Sequence, residues 1–144
     1  MIDPRPAPPV VPVIRSYRDL RVWQLGMDLA LASYDIAKKL PAFERCELAS
    51  QIRRACVSVP SNIAEGYGRR YRGDYVRHLY IANGSLKELE TEIVLAERIG
   101  YLPATFTMDA LALADRLGRM LSALTRSLTT RDEGIDTQSS TPKT

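Results

Sequence analysis

Between residues 53 and 78 the strong cations are all arginine: Arg53, Arg54, Arg69, Arg70, Arg72 and Arg77, opposed only by Glu65 and Asp74. A guanidinium presents a planar fork of donors that matches two phosphate oxygens at once, which lysine cannot do. Tyr67, Tyr71, Tyr75 and Tyr80 are interleaved with these arginines. Their rings could stack on unpaired bases. The chemistry such a set suggests is contact with a nucleic-acid backbone.

Between residues 85 and 97 the sign reverses, with Glu88, Glu90, Glu92 and Glu97 facing only Lys87. One chain with a basic patch and an acidic patch can pair head to tail with its own copies and close into a ring. Arginine and tyrosine are also favoured at protein interfaces. Charge alone therefore leaves nucleic-acid binding and subunit contact both open, and a ring would gather several arginine clusters on one surface.

Other chemistries find less support. His78 is the sole histidine, and there is no CxxC or inward ExxH pair, so no metal site is expected. Glu88 and Glu92, four residues apart beside Lys87, read as a solvated face. Neither a Gly-x-Ser-x-Gly elbow nor a phosphate-cradling glycine loop occurs. Ser61, Asn62 and Glu65 are the best catalytic candidates, but a polar cluster beside a proline is usually structural. We expect no enzyme and no cofactor.

The elements that must position the arginines are helical. A first helix is expected from Ser16–Tyr17, where Ser16 and Asp19 have the spacing of a capping box. Its seam is Leu20, Trp23, Met27, Ala30, Tyr34 and Ala37, widened by Val22, Leu25, Leu29, Ile36 and Leu40, and Pro41 ends it. A second helix restarts near Phe43–Arg45 on Leu48, Ile52, Ala55, Val59 and Ile63, with a kink expected at Pro60 and a stop at Gly66 and Gly68. The third carries Tyr75, Leu79, Ala82, Leu86, Leu89, Ile93 and Ala96, and ends at Gly100. Gly84 in its middle costs about 1 kcal/mol relative to alanine, which close approach of another helix would offset. The fourth follows Pro103, capped by Thr105 or Thr107, on Ala110, Leu113, Leu117, Leu121, Leu124 and Leu128.

No alternating run or hairpin signal suggests a strand. The fold class is all-α, an up-down-up-down antiparallel four-helix bundle spanning residues 16–129. Residues 1–15, with five prolines, read as a disordered arm, and residues 130–144 as a disordered polar tail. The 144 residues and 45% hydrophobic content suit one soluble domain. Charge interrupts every apolar stretch, so no membrane span or secretory signal is expected. Cys46 and Cys56, about 15 Å apart along one helix, read as reduced and mostly buried thiols, which places the chain in the cytoplasm. A net charge of +3 and a pI near 9.0 are compatible with nucleic acid without requiring it.

Several motifs in order, Tyr17-Arg-Asp-Leu-Arg-Val-Trp-Gln24, Leu40-Pro41 with Glu44, Gln51-Ile-Arg-Arg-Ala55, Ser58-Val-Pro-Ser-Asn-Ile-Ala-Glu-Gly66 and Ala82-Asn-Gly-Ser-Leu-Lys-Glu-Leu-Glu90, resemble the four-helix-bundle proteins of the 23S rRNA intervening-sequence type. The resemblance spans roughly Tyr17 to Leu128 and extends to the accessory variability proteins of diversity-generating retroelements. It implies a bundle that assembles as a ring-like homopentamer. It also implies binding of RNA or RNA/DNA, with a reverse transcriptase as partner for the retroelement type, and it carries over no active site. Tyr71 departs from the pattern, standing where a Ser or Thr cap would begin the third helix. The expected function is a non-enzymatic module that contacts structured nucleic acid through Arg53, Arg54, Arg69, Arg70, Arg72 and Arg77. The alternative is a protein-interaction scaffold that uses the same arginines for assembly or docking.

Overall fold

The computed structural model describes residues 4–8 and 12–139. Among them are four α-helices and no strand: α1 (Arg21–Lys39), α2 (Leu48–Tyr67), α3 (Arg72–Ile99) and α4 (Ala104–Ser139). Each helix packs on the next, and α1 also packs on α4. The core between them is formed mainly by Leu, Ile, Val and Ala. Each fully buried Leu or Ile contributes about 1.5–3 kcal/mol relative to exposure.

The capping box exists but does not start α1. The Ser16 hydroxyl accepts the Arg18 amide at 3.1 Å, and the Asp19 carboxylate accepts the Ser16 amide at 3.2 Å. These bonds close a single 3₁₀ turn, Tyr17–Asp19. Leu20 is then extended and α1 begins at Arg21 rather than at Ser16–Tyr17. The seam is also rotated from the one expected. Val22, Leu25, Leu29, Ser33, Ile36 and Ala37 are buried, while Met27 and Tyr34 lie about two-fifths exposed. Ser33 hides the true period in the sequence; its hydroxyl is satisfied by donating to the Leu29 carbonyl at 2.7 Å.

The start of α2 is likewise later than expected, because Ala42–Glu44 forms a separate 3₁₀ turn. Glu44 caps α2 from outside: its Oε2 accepts the Leu48 amide at 3.1 Å and its Oε1 accepts the Tyr101 hydroxyl at 2.9 Å. One carboxylate thus ties the loop before α2 to the loop before α4. The expected α2 seam is right: Leu48, Ile52, Ala55, Val59 and Ile63 are all buried. Helix α2 runs unbroken through Pro60, which lies against Gly26; a Cβ there would sit 3.4 Å from the Pro60 Cβ.

In α3 the seam from Leu79 to Ala96 is wholly buried. Gly100, at φ 100°, adopts the left-handed conformation that glycine tolerates, and ends the helix. The Gly100 amide bonds to Glu97 O and the Tyr101 amide to Ala96 O, the paired bonds of a Schellman motif. The account expected for Gly84 fails, since a Cβ added there would meet nothing within 4 Å. The tight approach is at Gly66 instead, and at Gly26 and Gly118 an added Cβ would meet its neighbours at ordinary contact.

Helix α4 begins at Ala104, and Thr107 is fully buried in its first turn. Its hydroxyl does not cap but donates to Glu97 Oε2 at 2.6 Å, joining α3 to α4. The deeply buried column is Ala110, Ala114, Leu117, Leu121 and Thr125, with Leu113, Leu124 and Leu128 at its margin. The backbone stays helical to Ser139, past the expected end at residue 129. No proline intervenes, and extending a formed helix costs far less than nucleating one. Residues 1–3, 9–11 and 140–144 of the expected arm and tail lie outside the described residues.

Candidate nucleic-acid interface

The structure divides the six predicted arginines into two groups. Arg69, Arg70 and Arg72 fall at the turn between α2 and α3, and Arg77 follows within the first two turns of α3. Arg53 and Arg54 lie more than three turns back along α2, about 20 Å from that turn by helix rise. They are not one cluster.

Each arginine has its own surroundings. Arg69 makes a 2.6 Å ion pair with Glu65, on an exposed face. Arg70 lies over the Tyr71 ring, 5.6 Å from its centroid. Arg77 is exposed. Arg53 is half-buried and donates to the Arg45 carbonyl at 2.8 Å, so part of its fork holds the loop before α2. Arg54 is exposed beside it, and both line an open groove with Tyr34, Ser50, Val57 and Ser58. Tyr71 and Tyr80 are exposed, whereas Tyr67 and Tyr75 pack edge to face at 6.0 Å and are half-buried.

Behind the arginines lies a polar chain between α2 and α3. His78 Nδ1 lies 3.1 Å from Asn62 Oδ1, and the Asn62 amide donates to Ser58 O and Ser58 Oγ. The Ser58 and Ser85 hydroxyls are 2.7 Å apart. Ser61 is exposed, Asn62 is engaged by Ser58 and His78, and Glu65 is held by Arg69, so the three catalytic candidates do not converge. Among the described residues no three His, Cys, Asp or Glu side chains are grouped as metal ligands would be.

Two readings of individual residues need correction. Glu92 is buried, not part of a solvated face, and neither carboxylate oxygen meets a donor. Burial, reinforced by the charge of Glu88 and opposed by Arg54, raises its pKa to about 7. Leu89 and Ala96, one turn to either side, are buried and mark this face, but a glutamate is ordinarily read as solvated. Cys46 is exposed, whereas Cys56 is buried and its thiol is pushed up to about 11, chiefly by burial. The second thiol is therefore a poor nucleophile.

Helix α4 brings further cations that no run of charge in the sequence marks. Arg119 and Arg126 join Lys87 of α3 along a cleft remote in sequence from the predicted arginines. Charge runs are visible in a sequence; charges brought together by packing are not. No helix among the described residues is long and apolar enough to cross a membrane.

Comparison with known proteins agrees with the architecture. Residues 18–123 match the family described as 23S rRNA-intervening sequence protein. A crystal structure of a protein with unknown function from the S23 ribosomal protein family of Bacteroides thetaiotaomicron is similar in fold, with a TM-score of 0.66 at 23% identity. The likeness covers 72% of this chain and 97% of that one. No curated protein matches the chain.

Proposed function

The chain belongs to the 23S rRNA-intervening sequence protein family, and on that premise we propose that it is a non-enzymatic, self-associating module that contacts structured RNA or an RNA/DNA hybrid. The observation that carries this reading is the arginine set at the α2–α3 turn, where Arg69, Arg70 and Arg72 flank Tyr71 in the chain, Arg70 lies over its exposed ring and Arg77 follows on α3. Guanidinium groups there supply phosphate contacts, and the tyrosine supplies a stacking face. Arg54 is a separate phosphate contact further back on α2, with Arg53 contributing what its bond to Arg45 leaves free.

The test is anisotropy of a short structured RNA across a salt series, on protein of known oligomeric mass. Affinity should fall steeply with salt, and Arg69→Glu, Arg70→Glu and Arg72→Glu together should flatten the slope. Unchanged binding by that triple variant, with its helical content intact, would remove the assignment.

Residue pairs across neighbouring helices support an up-down-up-down course. Along α2 and α3, Gly66 approaches His78 while Ser58 meets Ser85; along α3 and α4, Glu97 meets Thr107 while Leu86 approaches Gly118. Self-association has its own support in an apolar strip on α1 and α2. Met27, Leu31, Tyr34 and Val57 are all exposed, with Leu31 at 68%. Covering this strip with a second copy would favour a closed ring, for which the family resemblance suggests five subunits. The scaffold reading rests on the same strip, with the arginines as rim contacts. Light scattering on Leu31→Glu separates the two: dissociation accompanied by loss of RNA binding favours a ring that gathers arginines, whereas dissociation with RNA affinity intact makes assembly and binding separate. An accessory role beside a reverse transcriptase in the cytoplasm is the remaining part of the proposal, tested by co-purification of the two proteins.

A further inference from the structure

The cleft between α3 and α4 has the makings of a separate ligand site. A cavity of about 450 Å³ is lined by Lys87, Arg119 and Arg126, opposed by the single carboxylate of Asp115, with Gly118 in its wall. It shares Asn83, Ser122 and Arg126 with a smaller cavity of about 160 Å³ that Tyr80 borders. Gly118 forms part of its wall: a Cβ there would lie 3.4 Å from Lys87 Nζ and 3.9 Å from Asn83 Oδ1, in ordinary contact with both, so these two polar groups of α3 pack directly against α4 at this glycine.

The polar atoms in this cleft are incompletely matched. Lys87 is paired with Glu90 at 3.2 Å and Arg119 with Asp115 at 3.1 Å. Both are surface pairs, worth at most about 1 kcal/mol, so an incoming anion competes with them readily. Arg126 has no ion pair among the described residues. Asn83 Oδ1 is buried and accepts no hydrogen bond, which ordinarily costs about 1–3 kcal/mol. Its position among cations is informative: an anion with no donor of its own, such as sulfate, would satisfy the cations and leave this acceptor unmet. The ligand that satisfies both carries negative charge at one point and an O–H or N–H donor nearby. Tyr80, 62% exposed at the edge, adds a face for a flat ring.

We propose that this cleft binds a nucleotide. Its phosphate sits against Arg119, Arg126 and Lys87, a ribose hydroxyl or base N–H donates to Asn83 Oδ1, and the base lies on Tyr80. The nucleotide is either free or one unit of a single-stranded RNA chain. This inference does not depend on the arginines of the α2–α3 turn.

The experiment is a titration of the full-length protein at low salt with AMP, inorganic phosphate, a short oligoadenylate and a glutamate-rich peptide, followed by amide NMR. AMP should shift the Gly118 amide and the Asn83 side-chain amide, and bind at least about tenfold more tightly than inorganic phosphate. Arg126→Gln and Asn83→Ala should each weaken AMP by about tenfold, while Arg69→Glu with Arg70→Glu leaves it unchanged. Gly118→Ala, which keeps every charge, should also weaken AMP by narrowing the cleft. Tighter binding of oligoadenylate than AMP at the same residues identifies an RNA chain as the source, and equal binding identifies the free nucleotide. The proposal is overturned if neither adenylate shifts the cleft residues. It is also overturned if phosphate or the acidic peptide matches AMP, or if Arg126→Gln binds like the unaltered protein.

Discussion

A Cβ built on Gly66 would stand 2.6 Å from the Cβ of His78, closer than two such atoms ever pack. Helices α2 and α3 are therefore in contact through backbone on one side, at the level where His78 reaches Asn62. Glycine in a helix ordinarily costs about 1 kcal/mol against alanine. Here the residue is required by approach rather than tolerated. Gly66→Ala should lower stability in urea unfolding by about 1–3 kcal/mol, the usual penalty for overpacking, despite the better helix propensity. Equal or greater stability would mean that the two helices do not approach this closely.

Gly84 is predicted to do the opposite. It is exposed in mid-α3, its φ is not positive, and no atom lies within 4 Å of an added Cβ. Gly84→Ala should stabilise the protein by about 0.5–1 kcal/mol, through reduced freedom of the unfolded chain and better helix propensity. Thermal unfolding of the two variants side by side checks the pair, and the signs should differ.

These two glycines show what could be read from sequence and what could not. The α3 seam was legible because Leu79, Ala82, Leu86, Leu89, Ile93 and Ala96 keep an unbroken helical period of apolar residues, all of them buried. Gly84 and Gly66 look alike in a sequence, since a helical period does not say how near the next helix comes. Residues that cross the usual polarity rule depart from the sequence reading in both directions: Glu92, expected on a solvated face, is buried, while Met27, expected on the seam, is not. At the site, the arginines adjacent in sequence stayed adjacent, but Arg53 and Arg54 could be joined to them only by overlooking the length of α2. The cleft formed by Lys87, Arg119 and Arg126 depends on α3 packing against α4 and had no local signal.

Glu92 makes stability pH-dependent. Its pKa is about 7 in the fold and near 4.5 as an ordinary glutamate, so the folded state binds the proton more tightly. The stability this confers is fully present below about pH 4.5 and is lost as pH rises towards and through 7. The difference amounts to about 3 kcal/mol at most. Glu92→Gln cannot ionise and should gain on the unaltered protein steadily between pH 5 and about 7.5. Denaturation curves at several pH values, compared as a difference, isolate this residue from other carboxylates. Parallel curves across that range would show that Arg54 and solvent already satisfy the charge.

The two arginines of α2 should behave differently although they are neighbours in sequence. Arg53 donates to the Arg45 carbonyl and so holds the loop that precedes α2, whereas Arg54 is exposed. Arg53→Ala should cost about 1 kcal/mol of stability, the usual worth of such a bond, and Arg54→Ala should cost almost nothing. If Arg54 meets a phosphate, its removal lowers the salt slope of RNA binding by about 1, uniformly across RNA sequences. The comparison needs both urea unfolding and binding at several salt concentrations, because either variant alone confuses folding with recognition. A loss of stability from Arg54→Ala equal to that from Arg53→Ala would assign the pair to the fold. A changed slope with unchanged stability assigns Arg54 to the interface.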